Sequence, residues 1–448
     1  MGMETPSGRD RMPGLLPGIL YGMLLMVPSG LSAETWHSGL GELLLEKCAG
    51  CHSPGNIAPF SLDRPEEYAV RRNQIAWSVE SGRMPPWLAK DGCRDYHNDY
   101  SLAAGGKQRI LDWLAAGAPA GTPVGGTPEP KAPENRAALF SHAYRTPAFL
   151  PRSGEDEYRC FIIDTGLQET RYLNGRGFTP GNKALVHHMQ AFRFAAADRP
   201  RLEELDGRDR RTGWHCLSSP YPGGGVDYKF VSGWGPGQPD VFETAGRGMA
   251  FEPGDFLVVQ IHYNTLAAAP TADPGTLWLN FTDRVEQLAG AVTYTNMDWV
   301  YGIGMDIPAG DPSVTHSFTI RLGDAPWWQM FTADIGGAPD GSFLITGLAS
   351  HMHELGVRGR YRLIRADGRE ECLLDQRWDF NWQGLFVLTE PVRVEKDDRL
   401  VMECTWDNSA ANQPFADGKR LAPAHVEWGG GTRDEMCLGF VTVAESRP

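Results

Sequence analysis

Residues 256–263 read Phe-Leu-Val-Val-Gln-Ile-His-Tyr, an apolar run rich in β-branched and aromatic residues and too short for a typical helix. A similar run, Arg-Leu-Val-Met-Glu-Cys, occupies residues 399–404. From about residue 144 onward such runs alternate with Gly, Pro, Asn and Asp, which favour turns. This stretch is too long for one sandwich. We therefore predict two all-β, jelly-roll-like sandwich domains, residues 144–288 and 289–448, that meet near residues 285–300.

Length and composition predict a multidomain globular protein. The chain has 448 residues, of which 41% are hydrophobic and 22% are charged, and a single core stops growing well below this length. The formal net charge is -14. A nucleic-acid partner is disfavoured, because phosphate binding requires a basic surface.

The first 33 residues are typical of an export signal. Arg9 and Arg11 precede a mostly apolar run over residues 15–27, and small residues follow up to Ala33, after which we expect cleavage. An uncleaved anchor is the alternative, but Pro17 interrupts a run that falls short of the ~20 residues needed to span a bilayer. We therefore expect a periplasmic or secreted protein with no stable membrane span after signal cleavage.

Residues 48–52, Cys-Ala-Gly-Cys-His, have the spacing that attaches a c-type haem. The thiols of Cys48 and Cys51 can bond the two haem vinyl groups, while His52 reaches the iron from one side. A chance disulfide loop or half of a zinc site is the alternative, which the preceding export signal disfavours.

A second axial ligand is expected on the other side of the haem, and Met84 follows a helical stretch in a loop. His97 is the rival ligand, and a lone methionine can also be core filler. We also predict helices before Cys48 and over about residues 107–116. The module resembles a class I cytochrome c. The resemblance implies a small all-α domain at residues 34–119, followed by a Pro/Gly-rich linker at residues 120–143.

The histidines of the β-rich part are grouped in a way that indicates metal binding. His351 and His353 are two apart, so on a strand their side chains share a face and can chelate one ion. His187 and His188 are adjacent, so both can bind one ion only at a strand end or a bulge. His262 lies at the end of the apolar run over residues 256–263, next to its last residue. Taken singly, each histidine is more often a core or surface residue than a ligand.

As a set, these histidines resemble the type II copper, ascorbate-dependent monooxygenases, the family of peptidylglycine alpha-hydroxylating monooxygenase and dopamine beta-monooxygenase. The resemblance covers about residues 145–445, and its four motifs are residues 186–189 (Val-His-His-Met), 259–263 (Val-Gln-Ile-His-Tyr), 351–356 (His-Met-His-Glu-Leu-Gly) and 430–437 (Gly-Gly-Thr-Arg-Asp-Glu-Met-Cys). It implies two separate copper ions, one bound by His187, His188 and His262, the other by His351, His353 and Met436.

The resemblance also implies the chemistry. O2 is activated at the methionine-bearing copper, which makes His351, His353 and Met436 the catalytic set, and the other copper supplies an electron. One oxygen atom becomes a hydroxyl group on a small-molecule substrate and the other becomes water. Imidazole and thioether ligands suit copper better than zinc in such a redox site.

The sequence departs from the peptide-processing members of the family at the substrate clamp. There an arginine, an asparagine and a tyrosine grip the substrate carboxylate, and the matching positions here are Ala349, Leu438 and Phe440. Apolar side chains cannot make charge-assisted hydrogen bonds to a carboxylate. We therefore expect a neutral or hydrophobic substrate rather than a glycine-extended peptide.

Six cysteines remain besides the haem pair, and fifteen complete pairings are open to them. The family resemblance favours Cys404 with Cys437, next to Met436. Cys160 with Cys216 is plausible within the first sandwich, which leaves Cys93 with Cys372.

Trp378, Phe380 and Trp382 alternate with polar residues, so on a strand they would share one face, and core packing is favoured over substrate stacking. His215, His316 and His425 have no partner at a metal-like spacing, and we interpret them as structural; His425 is a candidate for orienting the methionine loop.

The hypothesis from sequence is a copper monooxygenase whose fused haem passes single electrons to the copper of His187, His188 and His262, since tethering gives an effective concentration of about millimolar. An external electron donor to the haem stays open. The alternative is a non-catalytic periplasmic copper and haem electron-transfer or copper-binding protein, in which the same ligands bind metal without a substrate site.

Overall fold

The computed structural model describes residues 34–54, 58, 60–97, 99–123, 136–153, 156–217, 219–221, 225–235, 238, 240–244, 246–265, 269–416 and 418–446. The predicted export signal and residues 124–135 of the predicted linker lie outside the described residues.

Short helices concentrate in the N-terminal part. The α-helices of the described residues are α1 (Leu40–Leu44), α2 (Pro65–Glu80), α3 (Ala104–Ala115), α4 (Arg136–Leu139), α5 (Arg199–Glu203), α6 (Met297–Val300) and α7 (Trp327–Thr332). A π-helical turn, Leu45–Ala49, continues α1, and 3-10 turns occupy Trp36–Ser38, Ala196–Asp198 and Ala333–Ile335.

The first three helices form a small unit with its own core, in which the rings of Trp36, Tyr68 and Trp113 contact one another. The helices predicted before Cys48 and over about residues 107–116 are confirmed as α1 and α3. Pro65 stands at the first turn of α2, where its missing N–H costs nothing.

Most of the remaining chain is β-structure, as the opening runs predict. The strands are β1 (His142–Arg145), β2 (Asp156–Asp164), β3 (Arg171–Thr179), β4 (Val186–Phe194), β5 (Trp214–His215), β6 (Tyr228–Trp234), β7 (Val241–Phe242), β8 (Arg247–Phe251), β9 (Phe256–Asn264), β10 (Thr276–Thr282), β11 (Gln287–Tyr294), β12 (Val314–Arg321), β13 (Ser342–His351), β14 (Gly356–Ile364), β15 (Glu370–Arg377), β16 (Phe386–Glu395), β17 (Arg399–Trp406), β18 (Phe415–Ala416), β19 (Lys419–Arg420) and β20 (Leu438–Glu445).

The position of strand β9 in the fold explains why its sequence is continuously apolar. It lies between β2 and β4 in an antiparallel sheet of order β5-β2-β9-β4-β6. Its odd-numbered residues, such as Val259 and Ile261, enter the main core of the first sandwich, and Phe256 and Val258 enter a second cluster on the opposite face. Because both faces are covered, no alternation of polar residues is needed.

A second, longer sheet of order β1-β10-β3-β8-β11-β20-β13-β16 runs through both sandwiches, with β7 paired to β3. Its first strands cover the sheet of β9, and β11-β20-β13-β16 face a four-stranded sheet of order β12-β17-β14-β15. β11 joins the two halves, since it pairs in parallel with β8 and antiparallel with β20. This strand lies inside the predicted junction at residues 285–300.

The stretch after Met84 is built into the second sandwich rather than into the helical unit. Ala89 forms a β-bridge with Gln376, and Tyr96 forms one with Leu388. The Trp87 ring also packs on Phe386, with ring centroids 5.1 Å apart. We refer to residues 87–97 as the strap, because they fasten the helical unit to the second sandwich.

All three disulfide pairings considered from sequence are present: Cys93–Cys372, Cys160–Cys216 and Cys404–Cys437. The first joins the strap to β15 across a sequence separation of 279 residues. Three disulfides fit an extracellular or secreted protein. Within the described residues, no helix has the length and apolar character required to cross a membrane.

Candidate metal centres

The adjacent histidines His187 and His188 reach one point because β4 contains a bulge. His188 lies opposite His262 in the β4–β9 pairing, and the register shifts between Val186 and His188. His187 is therefore the extra residue of the bulge, which re-aims its side chain. The sequence predicts that His187 and His188 can bind one ion only at a strand end or a bulge, and the structure has a bulge at this position.

The imidazoles of His187, His188 and His262 form a three-histidine cluster, with one ligand atom from each within 4.8 Å of the others. The Nδ1 atoms of His187 and His262 lie 3.2 and 3.4 Å from Nδ1 of His188. His262 is fully buried, and the Tyr158 ring stacks on it with centroids 4.0 Å apart.

The lowered pKa of His188 favours binding of a metal cation in this cluster. Burial, and then His262 and His187, hold the pKa of His188 well below its usual range. Imidazole nitrogens that converge at this spacing can bind one soft cation between them. The donor set thus fits a copper ion.

His351 and His353 form a second cluster, the histidine pair, where β13 ends. Their ring centroids are 5.1 Å apart. His351 is the last residue of β13 and His353 follows it in a turn. Burial, and then His353, lower the pKa of His351 to about 3, and burial also lowers the pKa of His353. Both imidazoles are therefore neutral at pH 7.

Hydrogen bonds fix which nitrogen each imidazole of the pair presents. Nδ1 of His353 lies 2.9 Å from the Asp434 carbonyl oxygen, so it carries the proton and donates. Nδ1 of His351 lies 2.8 Å from Oε1 of Gln383, whose amide nitrogen donates to the Phe380 carbonyl. Both Nε2 atoms are left for a metal, in the arrangement typical of oriented histidine ligands.

Glu435, which the sequence interpretation did not select, ties the methionine loop to the histidine pair. Its fully buried carboxylate accepts the backbone N–H groups of His353 and Leu355 at 2.8 and 2.7 Å, and the Trp406 indole N–H at 2.8 Å. Burial raises the pKa of Glu435 to about 7. Its only signal in sequence is its position beside Met436.

Met436 is half-buried, and its backbone N–H donates to the same Glu435 carboxylate at 3.3 Å. Cys437 follows and is bonded to Cys404 on β17. The loop that carries the predicted thioether is therefore held by a disulfide and by a buried carboxylate that also binds His353.

The two histidine clusters face each other across the sandwich junction. His187 and His262 contribute to the lowered pKa of His351, and His351 and His353 contribute to that of His188. A positive charge at one histidine cluster would therefore lower the pKa of histidines in the other cluster.

Trp378, Phe380 and Trp382 do not lie on a strand, but the expected core packing is confirmed for Trp378, which is buried in the core, and for Trp382, which packs against it. β15 ends at Arg377, and a turn follows in which the Asp379 carboxylate accepts the Asn381 N–H. The Trp378 indole donates to the His353 carbonyl at 2.9 Å, and the Phe380 ring stacks on His187 with centroids 4.9 Å apart. Phe380 belongs to the site rather than to the core.

The three positions that replace the carboxylate clamp lie beside the histidine pair. Ala349 is opposite Phe440, and His351 is opposite Leu438, in the β13–β20 pairing. These four residues share one half-buried face, because partners and alternate residues point the same way. The Phe440 ring contacts Phe230 of the first sandwich at 4.9 Å, so this face is directed at the junction.

The predicted haem-attachment motif lies in the helical unit, and Cys48 and Cys51 form no disulfide with each other, so the alternative of a disulfide loop is not realised. The His52 ring is buried, and its Nδ1 lies 3.0 Å from the Phe60 carbonyl oxygen. Nδ1 is therefore the protonated donor and Nε2 is left for a metal, which fits a haem iron. Burial raises the pKa of Cys48 to about 11.

Cys51 of this motif lies within electrostatic range of Lys183, which belongs to the first sandwich. Burial raises the pKa of Cys51 and Lys183 opposes that rise, so their side chains are close enough to interact. Lys183 precedes His187 by four residues. Met84 is 42% exposed in the loop after α2, and the His97 backbone donates to Val387. The axial role of Met84 stays a prediction.

His316 and His425 both lie close to Asp306. Nε2 of His316 lies 2.8 Å from the Asp306 carbonyl oxygen. His425, Asp306 and Glu427 bring ligand atoms within 4.8 Å of one another, although all three are exposed. Sequence spacing missed this group, because Asp306 is distant along the chain.

Comparison with known proteins shows which protein family this chain resembles. Residues 338–446 match the family model of the copper type II ascorbate-dependent monooxygenase, C-terminal domain, and this range contains His351, His353 and Met436. Dopamine beta-hydroxylase from Homo sapiens is 25% identical over 325 residues, which cover 70% of this chain and 47% of that protein. The matches support the copper type II monooxygenase family.

Dopamine beta-hydroxylase from Equus caballus is 24% identical and covers 70% of this chain and 48% of its own length. The chain thus spans about half the length of the curated monooxygenase relatives it matches. Among solved structures, the major capsid protein P2 from Bacteriophage PM2 aligns with 67% of this chain and 96% of that chain, at 9% identity. Its TM-score of 0.20 is too low to inform on the fold.

Proposed function

We propose that this protein is a copper-dependent monooxygenase that uses O2 to hydroxylate a C–H bond of a small, non-peptide molecule. The observation that carries the proposal is the three-histidine cluster, with ligand atoms within 4.8 Å, facing a histidine pair in the segment that matches the monooxygenase family. One copper is assigned to His187, His188 and His262, the other to His351, His353 and Met436.

Copper bound in these sites supplies one-electron redox chemistry and reduction of O2. Other residues of the chain orient the copper ligands. Gln383 and the Asp434 carbonyl hold protons on the Nδ1 atoms of His351 and His353, so each ligand nitrogen has a fixed direction. Low imidazole pKa values keep the ligands unprotonated at neutral pH.

The substrate class follows from the wall beside the histidine pair. Ala349, Leu438 and Phe440 share the face of His351 and supply no charged or hydrogen-bonding side chain. A neutral, apolar molecule loses little on desolvation against such a wall, whereas a carboxylate loses its hydration without a compensating partner. A non-peptide, apolar substrate is therefore favoured.

Replacing the residue that orients His351 is expected to weaken the second copper selectively. Gln383→Ala removes the acceptor for Nδ1, and loss of such an outer partner lowers metal affinity about 10- to 100-fold. Competition with a copper chelator measures the effect. Gln413→Ala, which removes a buried glutamine elsewhere in the same sandwich, is the matched control. Equal affinities in both variants would show that Gln383 does not orient a ligand.

We further propose that a c-type haem, bound to Cys48 and Cys51 with His52 and Met84 as axial ligands, supplies the electrons. The Cys93–Cys372 disulfide and the strap hold the helical unit against the second sandwich, and Lys183, four residues before His187 in sequence, interacts electrostatically with Cys51. This placement supports electron delivery to the copper of His187, His188 and His262. An external donor would then reduce the haem.

The haem assignment predicts a covalent adduct. The double variant Cys48→Ala/Cys51→Ala is expected to lose all haem that survives denaturing electrophoresis, because both thioether bonds are removed. Haem staining of the gel and the haem absorbance of the purified protein measure it. Cys93→Ala/Cys372→Ala removes one disulfide and should keep the haem. Haem-free wild-type protein from a host competent for haem attachment would disprove the assignment.

The whole proposal is tested by metal analysis followed by oxygen-uptake measurements. We expect two coppers and one haem per chain, substrate-dependent O2 consumption with small apolar compounds, and products that gain one oxygen atom. The competing function is a non-catalytic copper and haem carrier. Full copper occupancy with no substrate-dependent uptake across such a panel would favour the carrier.

A further inference from the structure

One hydroxyl group lies on the otherwise apolar face of the sheet beside the histidine pair. Thr293 on β11 is directly opposite Phe440 on β20, and Phe440 is in turn opposite Ala349 on β13. Directly opposed residues of antiparallel strands point to the same side of a sheet, so these three residues share one face. Leu438 and His351 form the next row of that face. We call these five residues the junction face.

The junction face is only partly covered by the first sandwich. All five of its residues are half-buried, whereas Tyr294, Gly439 and Ser350, which alternate with them and point to the other side of the sheet, are buried. One row further from the histidine pair, Ala291 and Thr442 belong to the same side as the junction face and are buried. Ala291 packs there into the core of the first sandwich. The accessible part of the face is therefore the part beside the histidine pair.

The Thr293 hydroxyl differs from the other threonine hydroxyls nearby. The Thr295 hydroxyl donates to the Cys437 carbonyl at 2.8 Å, and the Thr346 hydroxyl donates to that of Thr442 at 2.8 Å. The hydroxyl oxygen of Thr293 is buried and has no hydrogen-bond partner among the residues that the structure describes. Most buried polar side-chain atoms have a partner, and burial without one costs free energy. Because no hydrogen bond holds the Thr293 rotamer, the hydroxyl can turn towards a bound molecule without losing one.

From this geometry we infer that Thr293 is a specificity-determining residue, whose hydroxyl binds a carbonyl or hydroxyl group of an otherwise apolar substrate. The inference rests on the proposed function, since it concerns the substrate of the same site. A threonine hydroxyl can both donate and accept, so it pairs with either group. A carboxylate or an ammonium group would still be desolvated against the apolar residues of the junction face without an opposite charge. The substrate class narrows to neutral molecules with an apolar body and a hydrogen-bonding group.

Pairs of ligands that differ by one carbonyl group test this role. Ethylbenzene is paired with acetophenone and diphenylmethane with benzophenone, and dissociation constants are measured by anaerobic equilibrium dialysis of the copper-loaded protein. Thr293→Val keeps the shape of the side chain and removes the hydroxyl, whereas Thr293→Ser keeps the hydroxyl. We expect Thr293→Val to shift the ratio of the two constants in a pair by about 2- to 10-fold against the ketone, because one hydrogen bond is lost. Thr293→Ser should keep the wild-type ratio.

Chemical unfolding of the metal-free variants separates a ligand contact from a structural role. Thr293→Val is expected to unfold at the wild-type denaturant midpoint or above it, because the hydroxyl that it removes bonds to none of the described residues. Thr295→Val is the matched contrast and is expected to lower the midpoint, since the Cys437 carbonyl loses its donor. A lowered midpoint for Thr293→Val would show that the hydroxyl supports the fold, and would overturn the inference.

The outcomes distinguish this inference from the proposed function. Ligand ratios that are the same in Thr293→Val and the wild type would overturn the role of Thr293, and so would a wild type that binds no member of either pair. Substrate-dependent oxygen uptake by the wild type would in that case leave the proposed function standing. Full copper occupancy without such uptake would overturn the proposed function, while the binding ratios, which are measured without turnover, would still decide whether Thr293 binds the carbonyl group.

Discussion

His262→Ala is expected to remove one copper per chain and to abolish substrate-dependent oxygen consumption. His262 is fully buried on the central strand β9, opposite His188, and its ring is packed on Tyr158. A site left with two imidazoles would bind copper more weakly, and on the proposed function the loss of that copper would remove the source of the second electron.

The expected result has two parts that are measured separately. Metal analysis should show one copper per chain, and an oxygen electrode should show no uptake above the substrate-free rate. His215→Ala, an exposed histidine on an edge strand of the same sheet, should keep both coppers and full uptake. Two coppers in His262→Ala would contradict the ligand assignment, and retained uptake with one copper would contradict the two-copper mechanism.

The β-rich fold and the grouping of histidines could be predicted because both depend on local patterns. The apolar run at residues 256–263 became the buried central strand β9, and the run at residues 399–404 became most of β17. The His187-His188 pair stayed ambiguous in sequence. Strand alternation separates neighbours, and only the pairing with β9 shows where the bulge lies.

Phe380 could not be identified from sequence, for a physical reason. The alternation of aromatic and polar residues over 378–382 predicts a strand, but Asp379 accepts the Asn381 N–H and its carbonyl accepts the Trp382 N–H. This local turn chemistry outweighs the period-two pattern. The contact with His187 spans nearly two hundred residues of sequence, and no local pattern reports it.

The position of the strap could not be predicted from local sequence patterns either. Residues 87–97 lie between two helices of the first module, so their neighbours in sequence assign them there. Their hydrogen bonds instead go to β15 and β16, as in the donation from the Tyr96 hydroxyl to the Leu373 carbonyl at 2.9 Å. The strap has no long alternating run, and the pairing of Cys93 with Cys372 was reached only as the remainder of other pairs.

Glu435→Ala is expected to destabilise the second sandwich and to release its copper. The buried carboxylate accepts three close N–H groups, from His353, Leu355 and Trp406. Each buried donor left without an acceptor costs about 1–3 kcal/mol. We expect the free energy of unfolding to fall by about 3 kcal/mol or more, since the alanine cavity leaves several donors unsatisfied at once.

Glu435→Gln separates the hydrogen bonds from the charge. The amide keeps one acceptor oxygen and places an NH2 group against the remaining donors, so part of the network is lost. It also removes a carboxylate whose pKa burial raises to about 7, which offsets some of that loss. The glutamine variant should therefore lie between the wild type and Glu435→Ala in stability and in copper affinity at the Met436 centre.

Chemical unfolding of the metal-free proteins measures the stability order, and chelator competition measures the affinity order. Glu427→Ala, an exposed glutamate on the same segment, should stay within about 0.5 kcal/mol of the wild type. If Glu435→Ala unfolds like Glu427→Ala, the carboxylate does not hold the two loops together. The methionine loop would then be held beside His353 by the Cys404–Cys437 disulfide and by the hydrogen bond from His353 to the Asp434 carbonyl.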